Sequence, residues 1–231
     1  MSISVKLAYQ NVFKDEEWKY KVFVITVLTT INFMSLFSNA HKQNPLILII
    51  SGIMGLIMAG YFFKYMNALL EDKEAKLPDF DSFIDLFFIG LKFVIGTFFL
   101  GIAIKLFCVL IALPCFLLAK VVGVVVAIIL IVYLYSLIPA FIINFSEEFN
   151  IGAMIDFKKA REIAKFNYYK ALFILGFINI IPMIFSLLTW FVSGYFVIIY
   201  SYFSTLFSLI SSHILVQVFH SEYGERVNYG F

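Results

Sequence analysis

Six apolar runs, at residues 22–37, 46–63, 93–112, 121–145, 171–191 and 195–218, organise the chain, and charged residues gather between alternate pairs of them. Runs of this kind match the ~20 residues a helix needs to cross a ~30 Å hydrocarbon core. Residues 93–145 are apolar almost without a break. At about 1.5 Å per residue, one helix of that length would be about twice too long for the core, so two spans share it. Leu113-Pro114, Lys120 and Gly123 mark the expected turn between them. In the second run Ser51, Gly55 and Ala59 recur every four residues, a small-residue face that allows close helix contact. In the fifth, Pro182 predicts a kink.

The stretches ahead of the apolar pairs are amphipathic. Phe80, Phe83, Ile84, Phe87, Phe88 and Leu91 follow the spacing of one helix face, with Asp81, Ser82, Asp85 and Lys92 off it. Ser82 and Asp85 read as a capping box, and Pro78 keeps the helix from starting earlier. Gly90 offers a turning point before the third span. Residues 80–91 are therefore expected to lie flat on the membrane surface. Val5, Ala8, Tyr9, Val12 and Phe13 make a similar stripe at the N-terminus, as do Met154, Phe157, Ala160 and Ala164 before the fifth span. The sequence Lys-apolar run opens each pair at Lys21, Lys92 and Lys170, spaced by 71 and 78 residues. The expected fold is an all-α integral membrane bundle forming a single domain over residues 1–231. It has six transmembrane helices in three hairpins, each preceded by an amphipathic interfacial helix.

Composition supports a bilayer setting, since 62% of the 231 residues are hydrophobic and 14% charged, too few polar groups to cover a soluble globule. Net charge is +2 with the basic residues spread along the chain, so no nucleic-acid partner is expected. Fourteen Lys and Arg residues fall on the side of the N-terminus and only Lys42, Lys105 and Lys120 on the other. That bias predicts both termini in the cytoplasm and a multi-pass protein of the plasma membrane. All fifteen acidic residues lie on the same side as the fourteen, so a partner would find polar groups there. No cleavable signal peptide is expected, because about twenty polar or amphipathic residues precede the first apolar run. Cys108 and Cys115, seven residues apart, are expected as buried free thiols.

Gly60-Tyr61-x-x-Lys64, Leu77-Pro78-Asp79-Phe80-Asp81 and Gly90-Leu91-Lys92 together resemble domain-of-unknown-function family 4013, a group of prokaryotic multi-span membrane proteins. Leu7-Ala8-Tyr9, Phe13-Lys14-Asp15, Trp18-Lys19 and Asp156-Phe157 are also similar to that family, and Lys64 stands where it often carries arginine. The resemblance implies a fold and a topology and no activity.

His213 and His220 share a face of the last span with Gln217 between them. Two histidines about 10 Å apart on a straight helix cannot hold one ion, so a structural or interfacial role is expected. Ser204, Ser208 and Ser212 line another face, which reads either as a helix-packing surface or as a polar pathway. No Asp or Glu lies inside a span, which weighs against a proton-coupled or cation-coupled carrier. Asp79, Asp81 and Asp85 read as helix-capping residues. No nucleophile elbow, zinc-binding or phosphate-loop pattern occurs, and no enzyme, catalytic residue, metal or cofactor is expected. The sequence points to a membrane scaffold or accessory protein with a cytoplasmic face that contacts lipid or a protein partner, its oligomeric state open. A small-solute or lipid transporter is the alternative.

Overall fold

The computed structural model describes residues 3–37, 45–191 and 196–227, and among them every regular element is helical. The helices are α1 (Val5–Lys14), α2 (Trp18–Phe37), α3 (Pro45–Glu71), α4 (Phe83–Leu118), α5 (Lys120–Ser136), α6 (Ile138–Glu148), α7 (Phe157–Ile163), α8 (Phe166–Phe191) and α9 (Phe196–Val227), with a 3-10 turn at Ile151–Ile155. Among the described residues five stretches are long and apolar enough to cross a membrane: Pro45–Glu71, Phe83–Leu118, Lys120–Glu148, Tyr168–Leu187 and Val197–Phe219. These helices mark a membrane protein. The expected turns at 38–44 and 192–194 and the end of the tail lie outside the described residues, as does the side chain of His220.

Two compact units form, Met1–Leu91 with Lys165–Phe231, and Lys92–Ala164. In the first, α9 is the central helix and packs against α1, α2, α3 and α8. Ile25, Tyr61, Tyr65, Leu69, Tyr168, Leu209 and Ile214 are fully buried there. Polar residues inside it are turned back on the helices: Thr26 Oγ1 donates to the Val22 carbonyl at 2.7 Å and Thr30 Oγ1 to the Thr26 carbonyl at 2.7 Å. In the second unit, α6 packs against the 3-10 turn and α7. Asn144 Nδ2 donates to the Ala153 carbonyl at 2.7 Å, and Phe149, with φ 48°, takes the left-handed conformation that ends α6.

Four elements depart from the expectation. Residues 83–118 form one unbroken helix rather than a surface helix followed by a span. Gly90 has no positive φ and serves close packing instead: a Cβ there would lie 2.0 Å from the Leu56 carbonyl oxygen. A 36-residue helix is about 54 Å long, so roughly 24 Å of it extends past a ~30 Å core, and Asp81 and Asp85 need not enter hydrocarbon. Its Phe83, Ile84 and Phe88 stay exposed while Leu86 and Gly90 are buried. The turn between the third and fourth spans is the single extended residue Ala119, with Pro114 inside α4. There Gly123 meets the backbone of Phe116, where a Cβ would stand 2.3 Å from Cα. The expected fourth span is two helices, α5 and α6, joined at Leu137 with Pro139 in the first turn of α6. Finally, α9 continues to Val227, past the point where a polar tail was expected.

Candidate functional site

The stretch from Gly60 to Leu91 folds back on itself and is fastened at one end of the first unit. At its base α3 and α4 run antiparallel and touch at two points one helical turn apart. Gly60 faces the Leu86 carbonyl oxygen, 1.9 Å from where a Cβ would sit, and Gly90 faces that of Leu56. Only a residue without a side chain fits either contact. Ser82 Oγ then accepts from the Asp85 amide at 3.2 Å, which is the cap expected from the sequence.

The connecting residues between α3 and α4 have no regular structure, yet their carbonyls are held by side chains from three helices. Tyr61 Oη donates to the Pro78 carbonyl at 2.9 Å, and its ring stacks on Phe80 with centroids 4.7 Å apart. Asn11 Nδ2, on α1, donates to the Ala75 carbonyl at 2.9 Å. Lys21 Nζ, on α2, donates to the Leu77 carbonyl at 2.8 Å and pairs with Asp15 at 3.0 Å and Asp79 at 2.6 Å. At the rim, Lys14 pairs with Glu74, and Lys64 with Asp81 at 3.6 Å. Leu77 is buried, Leu91 half-buried and Lys92 exposed.

Lys21 is the centre of this latch. Its side chain is 7% exposed and that of Asp15 only 2%, against 64% for Asp79. Burial by itself lowers the affinity of Lys21 for its proton, but the hydrogen bonds and charges of Asp79 and Asp15 outweigh it and hold Lys21 above the ordinary lysine range. In return, the Lys21 ammonium holds Asp79 below the usual carboxylate range. Asp79 and Asp81 are thus ion-pair partners of Lys21 and Lys64, while Asp85 follows the Ser82 cap on the exposed first turn of α4. The second unit has a smaller counterpart: Lys159 pairs with Glu147 at 2.9 Å and Glu148 at 3.3 Å, and Asp156 caps α7 through the Lys159 amide.

The faces singled out on α9 have separate roles. Ser212 is buried, and its hydroxyl donates to the Ser208 carbonyl at 2.9 Å, while Ser204 and Ser208 are half-buried. Gln217 receives the Ser4 amide at 2.7 Å, donates to the Ser4 carbonyl at 3.0 Å and lies 3.0 Å from His213 Nδ1. This side chain therefore ties the start of α1 to α9. Accordingly α1 buries Ala8, Asn11 and Val12, whereas Val5 and Tyr9 of its expected stripe are exposed. Ser51 Oγ donates to Asn32 Oδ1 at 3.0 Å, so the small-residue face of α3 meets α2 through an asparagine. Cys108 and Cys115 are free but half-buried rather than buried.

A groove of about 830 Å³ runs between α2 and α9 along Trp18, Phe23, Val27, Ile31, Ile198 and Tyr202, with Lys19 at one end. The Ser204, Ser208 and Ser212 face does not line it.

A family model described as "Protein of unknown function (DUF4013)" matches residues 45–194, 150 of the 231 residues. The chain belongs to the DUF4013 family. The DUF4013 segment contains the whole fold-back from Gly60 to Lys92, whereas Asp15 and Lys21 precede it. Neither a curated protein nor a solved structure matches the chain. Of the residues outside the motif that hold it, neither Asn11 nor Lys21 with its partner Asp15 shows that role in the sequence. Asn11 sits off the apolar stripe of α1, and Lys21 reads as the lysine that opens the first apolar pair and as one of the positive charges that orient the spans. The sole signal for the latch is that Lys21 is the last charge before an apolar run, with Asp15 six residues, nearly two helical turns, earlier.

Proposed function

We propose that this DUF4013 protein is a membrane scaffold or accessory protein of the plasma membrane, with a preformed cytoplasmic face that contacts lipid headgroups or a partner protein. In this reading α2 is a sixth crossing, from Val22 onward, and both termini are cytoplasmic, in line with fourteen positive residues on one side and three on the other. The observation that carries the proposal is the Lys21 latch. It ties α1, α2 and the α3–α4 connection together at the end of the unit where the polar residues concentrate. A buried lysine that meets two carboxylates and a carbonyl favours one fixed arrangement, the property of a docking platform more than of a gate. The Ser212–Ser208 hydrogen bond and the exclusion of that face from the α2–α9 groove support packing in place of a solute pathway.

The test is thiol accessibility in intact and opened cells, after Cys108 and Cys115 are replaced. Single cysteines at Ser204, Ser208 and Ser212 are expected to resist a water-soluble maleimide from either side, while one at Lys76 reacts only in opened cells. Labelling of the serine face would favour the transporter.

A further inference from the structure

We propose that the groove between α2 and α9 is a binding site for one acyl chain of an anionic phospholipid in the cytoplasmic leaflet, with Lys19 at the phosphate. This deepens the lipid-contacting reading above and rests on its orientation. The groove wall is apolar because its threonines have spent their hydroxyls on their own helix: Thr26 donates to the Val22 carbonyl and Thr30 to the Thr26 carbonyl. From Trp18 to Ile31 the lining of α2 covers fourteen residues, about 20 Å of helix, somewhat more than half of a ~30 Å hydrocarbon core. That suits a chain from a single leaflet better than a membrane-crossing partner helix.

Charge is confined to one end of the groove, where Lys19 is the one ionic side chain of its lining. Trp18 and Lys19 stand there together, the ammonium 5.9 Å from the indole centroid, in the pairing that suits headgroup depth. Lys19 is exposed, and among the described residues no carboxylate pairs with it, in contrast to Lys14, Lys21, Lys64 and Lys159. Its charge is open to an anion at the place where an acyl chain in the groove would end. Charge, length and apolar lining thus select a phospholipid with a net negative headgroup over a zwitterionic one.

Trp18 and Trp190 are the two tryptophans, so Trp190→Phe leaves Trp18 as the sole reporter at the mouth of the groove. The full chain carrying that change is placed in phosphatidylcholine vesicles containing brominated phosphatidylglycerol or brominated phosphatidylcholine, and quenching of Trp18 is titrated. Quenching is expected to favour the brominated phosphatidylglycerol about fivefold, the size of effect that one lysine at a charged interface carries. Lys19→Gln is expected to bring that ratio to about one. Val27→Phe with Ile31→Phe, which fill the groove from its exposed rim, should reduce quenching by both lipids, and inorganic phosphate should not compete. Equal quenching by the two lipids, a ratio unchanged by Lys19→Gln, quenching unaffected by filling the groove, or a Trp18 shielded from all lipid by a second copy would each overturn the site. None of these results bears on labelling of the serine face, so the two proposals fail separately.

Discussion

Gly60 and Leu86 hold α3 and α4 at backbone contact: a methyl group on Gly60 would stand 1.9 Å from the Leu86 carbonyl oxygen. The obstacle is backbone, which cannot rotate away as a side chain can. Gly60→Ala is therefore expected to destabilise the protein at the upper end of the usual 1–3 kcal/mol for overpacking, and Gly90→Ala to do the same through Leu56. Gly52 and Gly101 have open space where a Cβ would go, and alanine there should be neutral or gain up to ~1 kcal/mol of helix propensity. Thermal unfolding of the four variants in one detergent checks this. Equal effects at all four sites would remove the contact.

Gly55 is a milder case. Its Cβ would meet Asn32 Nδ2 at 2.8 Å, the far end of a side chain that can shift. Gly55→Ala should cost less than Gly60→Ala. Gly55→Leu is expected to push Asn32 off Ser51 and cost about 1–3 kcal/mol by the same measurement. No loss on Gly55→Leu would mean that α2 and α3 do not meet there.

The latch predicts unequal effects for its two carboxylates. Lys21→Met strands the buried Asp15 and is expected to cost about 3–5 kcal/mol, whereas Asp79→Asn, at an exposed carboxylate, should cost under about 1 kcal/mol. Adding Asp15→Asn to Lys21→Met should recover part of the loss. The pH dependence has a definite sign. Asp79 lies below its ordinary value in the folded protein, so its contribution is present above about pH 4 and fades as pH falls through the lower folded value. Lys21 lies above its ordinary value, so its contribution is full below about pH 10 and fades as pH rises through the higher folded value. The stability difference between wild type and Lys21→Met should stay level from pH 5 to 8 and shrink only beyond these limits. A slope inside that window would contradict the assignment.

The helices were largely legible from apolar periodicity, and the residues of the fold-back were legible as a group. Their roles were less so. Gly90 reads equally as a turning point or as a contact, because a sequence does not say whether a missing side chain serves torsion or proximity; the Leu56 carbonyl decides it. The Ala119 turn carries no polar loop, since one extended residue is enough to reverse two helices that touch at Gly123. Lys21 meets Leu77 and Asp79 across 56 and 58 residues, a separation at which local pattern carries no information. Asp79 and Asp81 read as caps because they precede a helix, whereas in the structure they pair with Lys21 and Lys64; the cap itself is Ser82.

Lys21 pins the irregular connection between α3 and α4, and the proposed orientation puts that connection in the cytoplasm. Trypsin cleavage after Lys76, an exposed residue next to the pinned Leu77, tests it most directly when the enzyme is added to sealed vesicles of either orientation. In inside-out vesicles wild type should stay uncut at this bond under conditions that cleave Lys21→Met, and in right-side-out vesicles neither protein should be cut. Ready cleavage of the wild type in inside-out vesicles, or equal resistance of the two proteins there, would contradict the latch, and cleavage in right-side-out vesicles would contradict the orientation.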